Sequence, residues 1–339
     1  MLGIGVVGYG YWGPNLVRNF AETPGVQLLA VCDNRADRLE LVKKRFPGVQ
    51  TFSQFSEMLA NPELDAVAIA TPVHLHFTLA QQALNAGKHV LVEKPLSFSS
   101  HEAAQLIELA RAKNLVLMVD HTFIYTGAVK KIRELVASGD LGDFLYYDSV
   151  RVNLGLFQHD VNVLWDLAVH DLSILDFILP ERATAVSATG MAHVPGKPEN
   201  MAYMTLYFTS NVIAHIHVNW LSPVKVRQTL IGGSKKMIVY DDLMPSEKIK
   251  IYDRGISLQQ NSRPEDVYKL LVSYRTGDMW APKLDETEAL KAEAAEFARC
   301  VTTGATPDND GAAGLRIVRI LEAASESLKH RGQPVDISH

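Results

Sequence analysis

Two short stretches of the chain place acid–base groups at spacings that suit chemistry. In Asp166-Leu167-Ala168-Val169-His170 a carboxylate stands four residues before an imidazole. On an α-helix that spacing puts both side chains on one face about a turn apart. The carboxylate can then hold the orientation and charge of the imidazole while the histidine gives or takes a proton; the alternative is an ordinary ion pair on a helix surface. In Glu93-Lys94-Pro95 a lysine follows an apolar run. At the carboxyl end of a parallel strand such a lysine points toward the crevice where open α/β sheets bind ligands, and it can polarise a substrate oxygen or stabilise an alkoxide. The alternative is a surface lysine in a turn. Neither stretch carries HxxxH metal spacing, so no metal site is expected.

A third pattern suits a dinucleotide. The apolar run Leu2 to Val7 leads into Gly8-Tyr9-Gly10-Tyr11-Trp12-Gly13 and then a helical segment, and Asp33 closes the next apolar run. Glycines at these places allow a tight turn, let the backbone approach a pyrophosphate and let the helix pack close to the strand. Asp33 can accept hydrogen bonds from the adenine-side ribose, and its charge repels a 2′-phosphate, which favours NAD over NADP. Arg35 is the counter-signal, because it can meet that phosphate or simply cover the adenine. The alternative makes the glycines an ordinary turn and Asp33 a helix N-cap.

These groups need a scaffold, and the periodicity supplies one. Short apolar runs at Leu2–Val7, Val26–Cys32, Ala66–Ala70, His89–Val92 and Leu115–Val119 alternate with helical stretches. Runs without polar alternation suit strands buried on both faces, so residues 1–122 read as a doubly wound parallel α/β domain. A single helix is expected over Asn162–Ile178. Five extended segments between Arg182 and Tyr240 predict a mostly antiparallel sheet in a second α/β domain, residues 123–339, and amphipathic helices follow at Glu286–Cys300 and Gly314–Lys329.

Composition agrees with two folded domains: 339 residues, 47% hydrophobic, 8% aromatic. The net charge is −5 with no long basic block, which argues against nucleic acid as partner. Cys32 and Cys300 form no CxxC pair. No apolar run is long enough to span a bilayer, and the opening MLGIGVVGYG lacks the charged start of a secretory signal, so a cytoplasmic protein with no membrane contact is expected.

Four stretches together resemble the Gfo/Idh/MocA family: Gly8 to Gly13 with Asp33; Ala70-Thr71-Pro72-Val73-His74-Leu75-His76; Ala86 to Pro95; and Asp166 to His170. The resemblance implies an N-terminal Rossmann domain and a C-terminal α/β domain whose large sheet often forms the oligomer interface, hence a homodimer or homotetramer. It implies that Lys94, Asp166 and His170 are catalytic: His170 takes the proton of a sugar or polyol hydroxyl, Lys94 binds the reacting oxygen and Asp166 steadies His170. It assigns Gly8, Gly10, Tyr11, Trp12, Gly13, Asp33, Arg35, Thr71, Pro72, His76, Glu93 and Lys94 to the cofactor. Val73 stands where many members carry Asn, and bulky Trp165 where a small residue is common, which implies altered nicotinamide contacts and a differently shaped sugar pocket.

Alternation places Arg151 and Asn153 on one face of a strand. Arg151 suits a carboxylate or phosphate, the alternative being a pairing with a neighbouring acid. The block from Arg151 to His170 resembles family members acting on nucleotide sugars, of the UDP-N-acetylglucosaminuronate 3-dehydrogenase type, with C3 as a candidate carbon. Tyr125, Arg151, Asn153 and His159 are therefore the expected substrate contacts. Competing readings are an inositol or free-sugar dehydrogenase, a ketosugar reductase, and a non-catalytic dinucleotide- or sugar-binding regulator.

Overall fold

A computed structural model describes residues 1–155, 161–253, 255–258 and 272–337, with 255–258 and 272–275 described by backbone alone. Two compact units emerge: residues 1–126 with 287–322, and residues 127–286 with 323–339. Residues 287–322, which the sequence pattern left with the second domain, thus pack with the first.

The first unit begins with β1 (Leu2–Val7), α1 (Gly13–Glu22), β2 (Val26–Cys32), α2 (Ala36–Arg45), β3 (Gln50–Phe52) and α3 (Phe55–Leu59). It continues through β4 (Ala66–Ile69), α4 (His76–Asn85), β5 (His89–Glu93), α5 (Ser100–Ala112) and β6 (Leu117–Asp120). The strands pair in parallel in the order β3-β2-β1-β4-β5-β6. Every residue of β1 and β4 is buried, as a sheet covered on both faces requires. Three-residue β3 was not expected, because it is too short to show a period.

The second unit opens with α6 (Gly127–Ala137) and the long strand β7 (Phe144–Leu154). Next come α7 (Val169–Ile178), β8 (Ala183–Met191), β9 (Met201–Phe208), β10 (Ile213–Asn219), β11 (Leu221–Gly233) and β12 (Met237–Asp241). Shorter strands follow: β13 (Ile249–Tyr252), β14 (Gly255–Leu258), β15 (Val272–Arg275) and β16 (Met279–Trp280). Nine strands, closed at one edge by β17 (Val335–Asp336), form one sheet in the order β16-β13-β12-β11-β7-β10-β9-β8-β17. Only β7 and β10 pair in parallel within it. Helix α8 (Ala289–Thr303) belongs to the first unit, and the division between units falls inside α9 (Gly311–Lys329).

The single helix expected over Asn162–Ile178 is present from Val163 on, but it is not uniform. After Val163, Leu164–Ala168 forms a π-helical turn, and α7 continues the helix from Val169. The Asn162 side-chain oxygen accepts from the amides of Leu164 and Trp165, and Asp166 N–H reaches the Asn162 carbonyl at 3.3 Å. Widened turns of this kind cost hydrogen-bond geometry and are concentrated at functional positions.

Candidate functional site

In the first unit the chain leaves β1 through Gly8 at φ +91°, a left-handed conformation that an L side chain rarely adopts. A Cβ on Gly13 would lie 1.9 Å from the Gly8 carbonyl oxygen, whereas one on Gly10 would meet nothing closer than Arg35 Nη2 at 3.7 Å. Gly8 and Gly13 are thus required by the turn itself, and Gly10 keeps the outer surface of the loop bare. Helix α1 starts at Gly13 with Pro14 in its first turn and no side-chain cap, so its leading amides have no side-chain acceptor. Bare backbone ahead of uncapped amides fits a dinucleotide pyrophosphate.

Asp33 is buried at the end of β2. Its carboxylate accepts from the Tyr9 amide at 2.7 Å, the Arg35 amide at 2.9 Å and the Arg35 guanidinium at 3.2 Å. Burial pushes the acid up, but the Arg35 side chain and the two amides outweigh it and hold it below its ordinary value. Asp33 is no N-cap: α2 begins after Arg35, which makes no side-chain cap.

Tyr11 is 88% exposed on the loop. Trp12 is tied down instead, its indole donating to Asp120 Oδ2 at 3.1 Å. Asp120 closes β6 and lies opposite Glu93 in the β5–β6 register. Glu93 and Glu293 of α8 both lie close enough to Asp120 to feel its charge. Burial, then the neighbouring Asp120, pushes both glutamates well above the usual carboxylate range. The Thr122 hydroxyl also donates to Asp120, and the Asn309 amide donates to Glu293 at 3.0 Å. Asp120 and Glu293 escaped sequence reasoning; the one available signal was an acid ending an apolar strand, Leu117-Met118-Val119-Asp120.

Several expectations change here. Tyr125 is buried and gives its hydroxyl to Asn309 at 2.6 Å, so it is a core tyrosine rather than a substrate contact. His76 is 1% exposed; its ring nitrogens lie 2.8 Å from the Pro95 carbonyl and 2.9 Å from the Thr71 carbonyl. It therefore ties the loop after β4 to the loop after β5, and neither nitrogen is left for a cofactor. Thr71 and Pro72 follow β4, and the Thr71 hydroxyl is buried without a hydrogen-bond partner. Half-buried Lys94 begins the loop after β5, with a cis bond to Pro95.

In the second unit Asp166 lies within the π-turn and His170 in the first turn of α7. Both are half-buried. The Trp220 indole donates to Asp166 Oδ2 at 3.0 Å. Trp165 is buried and donates to Ser325 Oγ at 2.9 Å, so its bulk goes into the core rather than reshaping a sugar pocket.

Arg151 is the clearest correction. It is 3% exposed, and its guanidinium meets Asp171 at 2.7 and 3.2 Å. Asp171 also accepts from Ser149 at 2.7 Å. Arg151 thus docks the first turn of α7 onto β7, which is the pairing with a neighbouring acid that was its alternative reading. Asn153 remains half-buried on β7, and His159 lies outside the described residues. No group of three or more potential metal ligands occurs among the described residues. No helix there is long and apolar enough to cross a membrane.

Comparison with known proteins covers both units. Residues 2–121 match the oxidoreductase family GFO_IDH_MocA, NAD-binding Rossmann fold, and residues 129–239 match the GFO/IDH/MocA C-terminal domain. UDP-N-acetylglucosamine 3-dehydrogenase of Acidithiobacillus ferrooxidans is 28% identical over 93% of each chain. A solved structure of that enzyme superposes with a TM-score of 0.80 at 26% identity, covering 98% of this chain and 99% of the other. The NAD(+)-dependent scyllo-inositol 2-dehydrogenase of Bacillus subtilis is 25% identical over 99% of this chain and 95% of its own.

Proposed function

The chain belongs to the Gfo/Idh/MocA family of NAD-binding oxidoreductases, and from that premise we propose that it oxidises a ring hydroxyl of a nucleotide-activated sugar, with C3 as the carbon. The observation that carries this reading is the likeness, over 93% of both chains, to a UDP-N-acetylglucosamine 3-dehydrogenase.

The residues divide the work as follows. Loop amides at Gly10 to Gly13 and the uncapped start of α1 hold the pyrophosphate, where fixed N–H dipoles favour negative charge. Asp33 accepts the ribose hydroxyls, and Arg35, folded onto the same carboxylate, competes for those oxygens. A 2′-phosphate would have to displace that contact, which supports NAD over NADP. The bound nicotinamide supplies the acceptor for the hydride that leaves the sugar carbon. His170 takes the hydroxyl proton, Asp166 steadies the imidazolium that results, and Lys94 donates to the same oxygen as its charge develops.

A free polyol is the second reading, favoured by the scyllo-inositol relative. Remote binding energy separates the two, because a nucleotide-sugar enzyme draws on the UDP portion to position the ring. Stoichiometric protein with NAD should yield reduced nicotinamide absorbance in one turnover with UDP-N-acetylglucosamine or its uronate. Reduction with inositol or glucose and none with either UDP-sugar overturns the nucleotide-sugar reading in favour of the second.

The assembly is a homodimer or homotetramer through the nine-stranded sheet. Tyr203, Tyr207 and Ile213, exposed on adjacent strands β9 and β10, support this. Light scattering should give at least twice the chain mass.

A further inference from the structure

Resting on the assignment of Asp166 and His170 above, we infer that Trp220 is a positioning residue for the reaction: its indole N–H fixes the Asp166 carboxylate in the orientation that holds His170.

The placement of Trp220 is over-determined by its surroundings. It lies between β10 and β11 and is 1% exposed. Its amide donates to the Asn200 carbonyl at 2.9 Å, and its carbonyl accepts from the Gly155 amide at 3.1 Å. The segment before β9 and the end of β7 thus grip its backbone from two sides. At Gly155 a Cβ would fall 2.4 Å from the indole Cδ1, so only glycine leaves room for the ring there. Just before it, the Asn219 side chain accepts from the amides of Leu221 and Ser222 at 3.1 and 3.0 Å, fixing the turn into β11. A buried indole on so constrained a backbone presents its single donor in one direction.

Its target lies in the least regular part of the neighbouring helix. A π-turn does not hold its side chains as an α-helix does, so the spacing from Asp166 to His170 leaves their mutual orientation undetermined. Two indoles anchor that turn, with different consequences. Trp165, itself a π-turn residue, donates to Ser325 and fastens the backbone to α9. Trp220 comes from 54 residues away and acts on the carboxylate directly. Hydrogen bonds to a carboxylate are stronger than neutral ones and hold the group that accepts them. Misplacement of a proton-transfer group by a fraction of an ångström to an ångström costs rate rather than affinity.

The test is Trp220→Phe, which keeps the ring and removes the donor. Turnover should fall roughly tenfold, with sugar KM and NAD affinity within about twofold of the parent. The pH of half-maximal kcat should move by roughly half a unit or more, a change that loss of packing alone would not cause. In an Asp166→Asn background the same substitution should have no further effect on kcat, because the two act as one unit. Trp165→Phe serves as the structural control and should lower the urea midpoint without moving the pH profile. Parental kcat and pH profile in Trp220→Phe, additive losses in the double variant, or the same profile shift in Trp165→Phe each overturn the inference. If Asp166→Asn and His170→Ala leave turnover intact, the assignment beneath it fails as well. If they abolish turnover while Trp220→Phe matches the parent, only the positioning role is lost.

Discussion

The two units bury carboxylates in opposite ways. In the second, Asp171 meets the Arg151 guanidinium in a two-pronged contact with both side chains at most 4% exposed. In the first, acids meet acids: burial, then the neighbouring Asp120, pushes Glu93 and Glu293 well above the usual carboxylate range. The ion pair needs both members to offset desolvation. In the acid cluster Asp120 accepts from Trp12 and Thr122 and Glu293 from Asn309, while Glu93 Oε1 and Glu293 Oε2 stay buried without a hydrogen-bond partner. One arrangement anchors α7, which carries His170, and the other joins the glycine loop, through Trp12, to the ends of β5 and β6. A mutation should therefore act on stability in the first case and on pH response in the second.

The largest effect should come from Arg151→Met, which strands the Asp171 carboxylate in the core. A loss of about 3–5 kcal/mol is expected in urea unfolding, and adding Asp171→Leu should recover much of it. A stable Arg151→Met protein with a raised sugar KM would break the comparison and return Arg151 to the substrate. Arg35→Met sharpens it with a pair of the same chemistry in which the carboxylate of Asp33 is buried but the guanidinium lies largely in solvent. The Arg35 side chain is 48% exposed and that of Arg151 only 4%, so screening should hold the cost to about 1 kcal/mol or less.

Glu293→Gln should be the mildest. Glutamine mimics the protonated acid that burial favours, so a change within about 1 kcal/mol is expected where that form holds. The pH dependence carries the information. A glutamate whose folded pKa is raised contributes stability that is fully present below its unfolded value of 4.5 and is lost as pH rises toward the folded one. The variant should therefore gain on the parent in urea midpoint as pH rises above 4.5. A constant difference across that range would mean that Glu293 is ionised throughout.

Much of the first unit was readable before the fold. The extents of β1 and β2 coincide with their apolar runs, and the glycine loop stands where the spacing put it. The second unit was readable as a sheet but not as a site. Alternation put Arg151 on one face of β7 with Asn153, but its partner comes from α7, and nothing in a strand pattern says which helix covers it. The π-turn was invisible because its apolar spacing over Leu164–Ala168 serves an α-helix equally well.

Sequence alone determined the doubly wound half, the turn that only glycine can make at Gly8 and Gly13, and the acid at the end of β2. These depend on neighbours along the chain, whose spacing sets periodicity, backbone conformation and helix starts. The tertiary structure decided that Trp220 holds Asp166, that Arg151 is spent on Asp171, that Glu293 joins Glu93 and Asp120, and that residues 287–322 pack with the first unit. Each of these depends on which distant segment returns to a buried polar group. A buried donor or acceptor must find a partner, but only the packed chain says which one is within reach.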